Sequence, residues 1–135
     1  MSREADVFAC LTDAVIAPAG GFPPVRETDA REFLERYLAS SPRANRIGLR
    51  AMLLALELGP RALGFGGRLR QLDPAGRLAF LARVERSPAA ALVHATEALA
   101  KLVYYGDDGV MRGLGYDPDA IVERGRALRR EEARW

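Results

Sequence analysis

Four dipeptides place a helix-capping side chain directly before a proline: Ser41-Pro42, Asp73-Pro74, Ser87-Pro88 and Asp117-Pro118. Serine and aspartate side chains accept hydrogen bonds from the free amides at a helix N-terminus. Proline is favoured at the next position, because it has no amide hydrogen to leave unpaired and its φ already suits a helix. Each dipeptide therefore predicts the start of a helix, and together they divide much of the chain into helical segments.

Two further helices are predicted ahead of the first of these dipeptides. One runs from about Arg3 to Ile16 and ends at the Gly- and Pro-rich loop Ala17–Pro24, which cannot continue a helix. The other follows Thr28, which we expect to cap it. No segment shows the sustained alternation of a strand, and no hairpin dipeptide separates two β-rich runs. The sequence predicts an all-α fold, a single compact domain over residues 1–135 with five or six helices joined by Pro/Gly-rich loops.

The helix that follows Pro42 is the most apolar of the chain. From Ile47 to Leu58 its side chains are apolar on nearly every face, which is typical of the central helix of a soluble domain. Gly59 followed by Pro60 predicts its end. A long helix is predicted from Ala89 to about Tyr105. In the last helix, after Pro118, we expect four residues to face inward: Ile121, Val122, Gly125 and Leu128.

The charge pattern and the single cysteine exclude several protein classes. The net charge is only +2, and Glu123, Glu131 and Glu132 flank the one arginine cluster, Arg124–Arg130, and dilute its charge, which favours a solvated face over a nucleic-acid site. Cys10 has no partner for a disulfide and lies in an apolar helix pattern, so we expect a buried structural thiol. No secretory leader, twin-arginine pair or long apolar span is visible. We expect a cytoplasmic protein, or a periplasmic one if a partner exports it.

Few residues offer catalytic chemistry. His94 is the one histidine, and we expect a packed or interfacial imidazole, with a catalytic base as the alternative. The run Gly64–Gly67 lacks the preceding strand and the lysine of a phosphate-binding loop. It is better interpreted as a tight turn that presents Arg61 and Phe65. The aspartates near positions 107 and 117 do not have the spacing of a calcium loop. We therefore predict no catalytic, cofactor-binding or metal-binding residue on this chain.

The segment Lys101–Pro118 concentrates the unusual residues. Its aspartates are expected to cap helices and its glycines to form turns. Tyr104 is expected in the core. Tyr105 and Tyr116 fit either the core or a protein interface, because tyrosine buries a ring while keeping its hydroxyl hydrogen-bonded. This segment is the candidate interface of the chain.

The order of these elements resembles a known family, the small subunits typified by subunit 3 of gluconate 2-dehydrogenase. The resemblance begins with an N-terminal helix that leads to the Pro-rich loop Ala17–Pro24, and it continues through Phe33, Leu34 and Tyr37 to the leucines between Arg50 and Pro60. It then includes Phe65 and the helix start Asp73–Leu81. It closes with Tyr104-Tyr105 and Leu114-Gly115-Tyr116-Asp117-Pro118, the piece most similar to the family.

The resemblance implies a non-catalytic accessory subunit. Such subunits are helical, carry no flavin, and stabilise, mature or export a large FAD-dependent sugar or alcohol oxidoreductase. The FAD is therefore expected on the partner, in a hetero-oligomer without nucleic acid or membrane insertion. The expected contact residues are Phe22, Arg61, Phe65, Arg77, Tyr105, Leu114 and Tyr116. Two alternatives stay open: a small-molecule binder or enzyme with a pocket near His94, and a helical interaction module for another partner.

Overall fold

The computed structural model describes residues 2–18 and 20–133. Within this part of the chain there are seven α-helices and no strand, which confirms the all-α prediction. The helices are α1 (Arg3–Ile16), α2 (Ala30–Ser40), α3 (Arg43–Ala62), α4 (Pro74–Glu85), α5 (Ala90–Tyr105), α6 (Asp108–Gly113) and α7 (Pro118–Glu132). Two short 3-10 turns, Val25–Glu27 and Leu69–Gln71, precede α2 and α4. Of the predicted loop Ala17–Pro24, Ala19 lies outside the described residues.

The central helix is α1, not α3 as the sequence predicted. Helix α1 packs against α2, α3, α4 and α5, and its buried residues include Phe8 and Leu11. Helix α3 buries only one side, with Leu53, Leu56, Glu57 and Pro60 as its buried residues. Its apolar composition therefore does not reflect burial all round: part of its apolar surface faces solvent.

The predicted end of α3 is also wrong. Gly59 and Pro60 lie inside the helix, which continues to Ala62. A Cβ added at Gly59 would lie 2.8 Å from Cζ of Phe80, so this glycine allows α3 to approach α4 closely. The buried Pro60 removes one amide donor near the helix end, where a helix tolerates it better than in its middle. The chain turns afterwards at Gly64 and Gly66, which both have positive φ values.

The aspartate caps form as predicted, whereas the hydroxyl caps do not. Asp73 accepts a hydrogen bond from the amide of Gly76 at 2.7 Å, and Asp117 accepts from the amides of Asp119 and Ala120. Thr28 instead donates to the carbonyl of Val25. Ser41 makes no cap to α3, which begins after Pro42. A carboxylate can only accept, but a hydroxyl can donate to a nearby carbonyl instead.

Ser87 follows the same rule. It donates to the carbonyl of Val84 at 2.6 Å and accepts from the amide of Ala89 at 3.1 Å. It therefore forms a turn ahead of α5, and Ala89 occupies the N-cap position.

The segment after α5 contains a helix that the sequence did not predict. Asp107 caps α6 by accepting from the amides of Gly109 and Val110, and its other oxygen accepts from the amide of Asp29 at the start of α2. Helix α7 then packs chiefly against α6. The four residues predicted to face inward do not reach the core, since Pro118 is the buried residue of α7.

Candidate functional site

Three large side chains are exposed on either side of α6: Tyr105 at the end of α5, and Leu114 and Tyr116 in the turn after α6. Tyr105, Leu114 and Tyr116 have 44–59% of their surface accessible. Gly115 between them has a φ of +85°, and the amide of Tyr116 donates to the carbonyl of Met111 at 2.9 Å. We call Tyr105, Leu114 and Tyr116 the aromatic end. Its backbone is held by turns and caps, so its exposed side chains project from a fixed base.

Two neighbouring residues support the aromatic end from the inside. Tyr104 is almost fully buried, as predicted, and its hydroxyl donates to the carbonyl of Pro23 at 2.8 Å. Burial, with Tyr105 and Asp107 nearby, raises the pKa of Tyr104 above its ordinary value. Phe22 is half-buried and its ring would lie 3.5 Å from a Cβ at Gly113. The loop before α2 is thereby fastened to α5 and α6.

The other predicted contact residues lie elsewhere. Phe65 packs edge-on against Phe80 of α4, with ring centroids 5.8 Å apart, and Arg61 is exposed near the end of α3. Arg77 is half-buried and donates to the carbonyls of Leu69 and Arg70. The seven predicted contact residues therefore lie in two regions. Around α6 are Phe22, Tyr105, Leu114 and Tyr116, and the other three lie near α3 and α4.

A buried carboxylate that the sequence analysis did not identify lies between α1 and α3. Glu57 is 1% exposed. Its carboxylate accepts from Nε of Arg70 at 3.0 Å and lies 3.7 Å from a guanidinium nitrogen of Arg3. Asp6 extends the network through pairs with Arg31 and Arg70. Because a buried charge is costly without partners, this network holds α1, α3 and the Leu69–Gln71 turn together.

A cleft of about 420 Å³ opens beside this network. Its lining includes Cys10, Asp13, Arg31, Arg70 and Arg77. Cys10 is half-buried there rather than fully buried as predicted. Burial raises the pKa of its thiol, while the charge of Arg77 acts in the opposite direction. The thiol is consequently mostly protonated at neutral pH, which makes it a weak nucleophile.

His94 lies on an exposed part of α5. Its Nε2 is 3.5 Å from Oε1 of Glu85, and both side chains are more than half exposed. The prediction of a packed imidazole is therefore wrong, whereas an interfacial position stays a prediction, and an exposed side chain lacks the enclosed surroundings that are usual for a binding pocket.

Two helices expose apolar side chains that were predicted to face the interior of the protein. On α3, Ile47, Leu54 and Leu58 are 40–58% exposed. On α7, Ile121, Val122 and Leu128 are 49–54% exposed. We call these sets the α3 face and the α7 face. The sequence does indicate these two apolar sides, because apolar residues that recur about once per turn mark one side of a helix. The pattern does not identify the element that covers the side.

Among residues 2–18 and 20–133, no group of three or more His, Cys, Asp or Glu side chains is arranged to hold a metal ion. No helix in the same part of the chain is long and apolar enough to cross a membrane. Comparisons with family models, with curated proteins and with solved structures found no match.

Proposed function

We propose that this chain is a non-catalytic accessory subunit that binds and stabilises a larger protein. The observation that supports the proposal is the aromatic end, where Tyr105, Leu114 and Tyr116 are exposed on a backbone held by caps and turns. Tyrosine and clustered apolar side chains on a rigid base are typical of protein interfaces, because little conformational freedom is lost on binding.

The proposed partner is the large subunit of an FAD-dependent sugar or alcohol oxidoreductase. This part of the proposal depends on the sequence resemblance, whose closing motif, Tyr104-Tyr105 and Leu114–Pro118, coincides with the aromatic end. The chain would cover an apolar surface of the flavoprotein and so stabilise its folded state by mass action. The flavin and the catalytic residues would belong to the partner. The complex would form in the cytoplasm, or in the periplasm if the partner is exported.

Co-expression with the large subunit of an FAD-dependent sugar or alcohol oxidoreductase, taken from a gene adjacent to that of this chain, tests the proposal. We expect the two proteins to co-purify and the flavoprotein to gain solubility and FAD content. Changing Tyr105, Leu114 and Tyr116 to alanine should abolish the complex. Leu78→Ala is the matched control, because Leu78 is a similarly exposed apolar residue on α4.

Separate elution, with a flavoprotein equally soluble and active alone, would refute the role. The remaining alternatives give different results in the same preparation. A helical interaction module for another partner predicts no complex with the flavoprotein but loss of a different complex in the triple variant. A small-molecule enzyme near His94 predicts turnover by the isolated chain that His94→Ala removes.

A further inference from the structure

The cleft of about 420 Å³ beside the buried network is lined by four arginines, each from a different element. They are Arg26 of the Val25–Glu27 turn, Arg31 of α2, Arg70 of the Leu69–Gln71 turn and Arg77 of α4. We call this space the arginine cleft. Two carboxylates, those of Asp6 and Asp13 on α1, also line it. The wall of the cleft therefore carries an excess of positive charge.

Three of the four arginines are paired with carboxylates of the chain, and the fourth is not. The pairs are Arg26 with Glu27, Arg31 with Asp6, and Arg70 with Asp6 and Glu57. Arg77 is half-buried, and in the described part of the chain no carboxylate oxygen lies within 4.0 Å of its guanidinium nitrogens. A cation that is partly removed from water and lacks an opposite charge is unfavourable. An anion in the cleft would supply that charge.

The guanidinium of Arg77 retains the capacity to donate hydrogen bonds to such an anion. Its Nε and Nη2 donate to the carbonyls of Leu69 and Arg70 at 3.4 and 3.5 Å, which is the long limit of a hydrogen bond. Its other terminal nitrogen, Nη1, makes no hydrogen bond to any described residue and is not buried. Because the N–H groups of arginine lie in one plane, they can bind both oxygens of a carboxylate.

The rest of the cleft limits the size and the charge of the ligand. Ala9, Pro24 and Val25 form an apolar part of its wall, and its volume is within the range of small-molecule sites, about 300–1,000 Å³. A carboxylate group alone would leave most of this volume to water. Asp13 borders the same two clefts as Arg77, and its negative charge disfavours a ligand with two negative charges.

We propose that the arginine cleft binds a small organic acid with one carboxylate. The carboxylate group lies on Arg77, and the apolar part of the acid contacts Pro24 and Val25. The aromatic end shares no residue with the cleft, so this proposal is independent of the proposed function. In an accessory subunit, the cleft would be a second and separate site.

Titration of the full chain with benzoate at constant ionic strength, followed by heteronuclear NMR, tests the proposal. We expect saturable shifts at the residues of the cleft and a Kd of about 1 mM or lower. Benzyl alcohol has the ring without the charge, acetate has the charge without the ring, and inorganic phosphate is an anion with no apolar part. Each of these three should bind at least about tenfold more weakly than benzoate.

Variants of Arg77 and Asp13 should change the affinity in opposite directions. Arg77→Gln should weaken benzoate binding by about tenfold or more, and Arg77→Lys by a smaller factor, because lysine keeps the charge but not the planar donors. Asp13→Asn should strengthen binding about two- to fivefold, because it removes a negative charge from the cleft. Arg83→Gln is the matched control and should change nothing, since Arg83 is an exposed arginine of the same helix that lines a different cleft.

Thermal unfolding checks that each variant remains folded. Asp13 is exposed, so its variant tests the proposal independently of any loss of stability in the Arg77 variants.

Cys10 provides a second measurement, because it lines the cleft and is the one cysteine of the chain. Burial raises the pKa of its thiol, whereas Arg77 and Arg70 act in the opposite direction, so the rate of modification by one reagent also depends on thiol ionisation. The ratio of the rates with two aromatic disulfides removes this dependence, since dithiobis(nitrobenzoate) carries carboxylates and dithiodipyridine is neutral. We expect Arg77→Gln to lower this ratio about fivefold or more, and Arg83→Gln to leave it unchanged.

Four results would overturn the proposal. The first is a chain that benzoate does not saturate, and the second is equal benzoate binding by the wild type and Arg77→Gln. The third is equal binding of acetate and benzoate, which would indicate a site for a carboxylate group alone, such as an acidic side chain of another protein. The fourth is binding of inorganic phosphate as tight as that of benzoate, which would indicate a general anion site.

Discussion

Helices α1 and α7 are similar in length and both amphipathic, yet one is the centre of the molecule and the other lies outside it. Helix α1 buries Phe8 and Leu11 among four neighbouring helices, whereas α7 leaves Ile121 and Leu128 half exposed. The pattern that predicts an apolar side is the same in both. The difference shows that amphipathicity identifies the side to be covered, while the covering element depends on the connections and neighbours of the helix.

The largest expected contrast comes from truncating one apolar side chain in each helix. Phe8→Ala should lower the free energy of unfolding by about 3–5 kcal/mol, because it leaves a cavity in the packed core. Leu128→Ala should change it by less than about 0.5 kcal/mol in the monomer. Urea unfolding at low protein concentration measures both values. Similar losses in the two variants would show that α7 is part of the core.

A buried ion pair beside α1 and an exposed ion pair beside α7 should differ almost as much in their contribution to the free energy of unfolding. Arg70→Leu leaves the buried carboxylate of Glu57 with Arg3 as its charged partner and with the backbone amide of residue 70, and we expect a loss of about 3 kcal/mol in the free energy of unfolding. Arg112→Leu removes an exposed pair with Asp119 and should cost less than about 1 kcal/mol. Chemical denaturation of both variants makes the comparison. Equal costs would contradict a structural role for the buried network.

A smaller contrast separates the two adjacent tyrosines. Tyr104→Phe removes the donor to the carbonyl of Pro23 and should cost about 1 kcal/mol, whereas Tyr105→Phe at the exposed position should cost almost nothing. The folded-state pKa of Tyr104 is raised, so its contribution is complete below the unfolded pKa of about 10 and declines as the pH rises beyond it.

Denaturation between pH 8 and pH 11 measures this dependence. The wild type and Tyr105→Phe should lose stability in the alkaline part of the range, and Tyr104→Phe should lose less. An unchanged alkaline loss in Tyr104→Phe would assign the pH dependence to another group.

The smallest effects are expected from replacing glycines by alanine. Here the change in the free energy of unfolding should have opposite signs in the two regions. Gly125→Ala should stabilise the monomer by about 0.5–1 kcal/mol, because the new Cβ meets nothing and alanine favours a helix. Gly59→Ala should destabilise the chain, because its Cβ would lie 2.8 Å from the ring of Phe80. Thermal unfolding of dilute protein compares the two, and a destabilising Gly125→Ala would show a contact that the monomer lacks.

The sequence predicted the helices well because caps and breakers act locally. Asp73 and Asp117 make the predicted caps, and Tyr104 lies in the core as expected. Some wrong predictions are local, since Thr28 and Ser87 donate to nearby carbonyls, and the others concern long-range packing. The role of Gly59 depends on Phe80, which lies 21 positions further along the chain. The pairing of Glu57 with Arg70 likewise requires α3 to meet the Leu69–Gln71 turn, which no local pattern specifies.

The candidate interface was only partly predictable, for the same reason. The spacing around Lys101–Pro118 indicated turns and caps, and Tyr105, Leu114 and Tyr116 are all exposed on either side of α6. Arg77 donates to carbonyls of its own chain, which the sequence did not indicate, and its contact with a partner stays a prediction. Whether an arginine side chain points inward depends on the turn it packs against, and the sequence around the arginine does not specify that turn.

A small change of backbone angle at the Gly115 turn would move the whole of α7. A helix of 15 residues is about 22 Å long, and its position depends mainly on the backbone between Met111 and Pro118. A rotation of about 10° at this turn would displace the far end of α7 by about 4 Å. The positive φ of Gly115 would therefore set where the arginines and glutamates at the end of α7 lie, far from the turn itself.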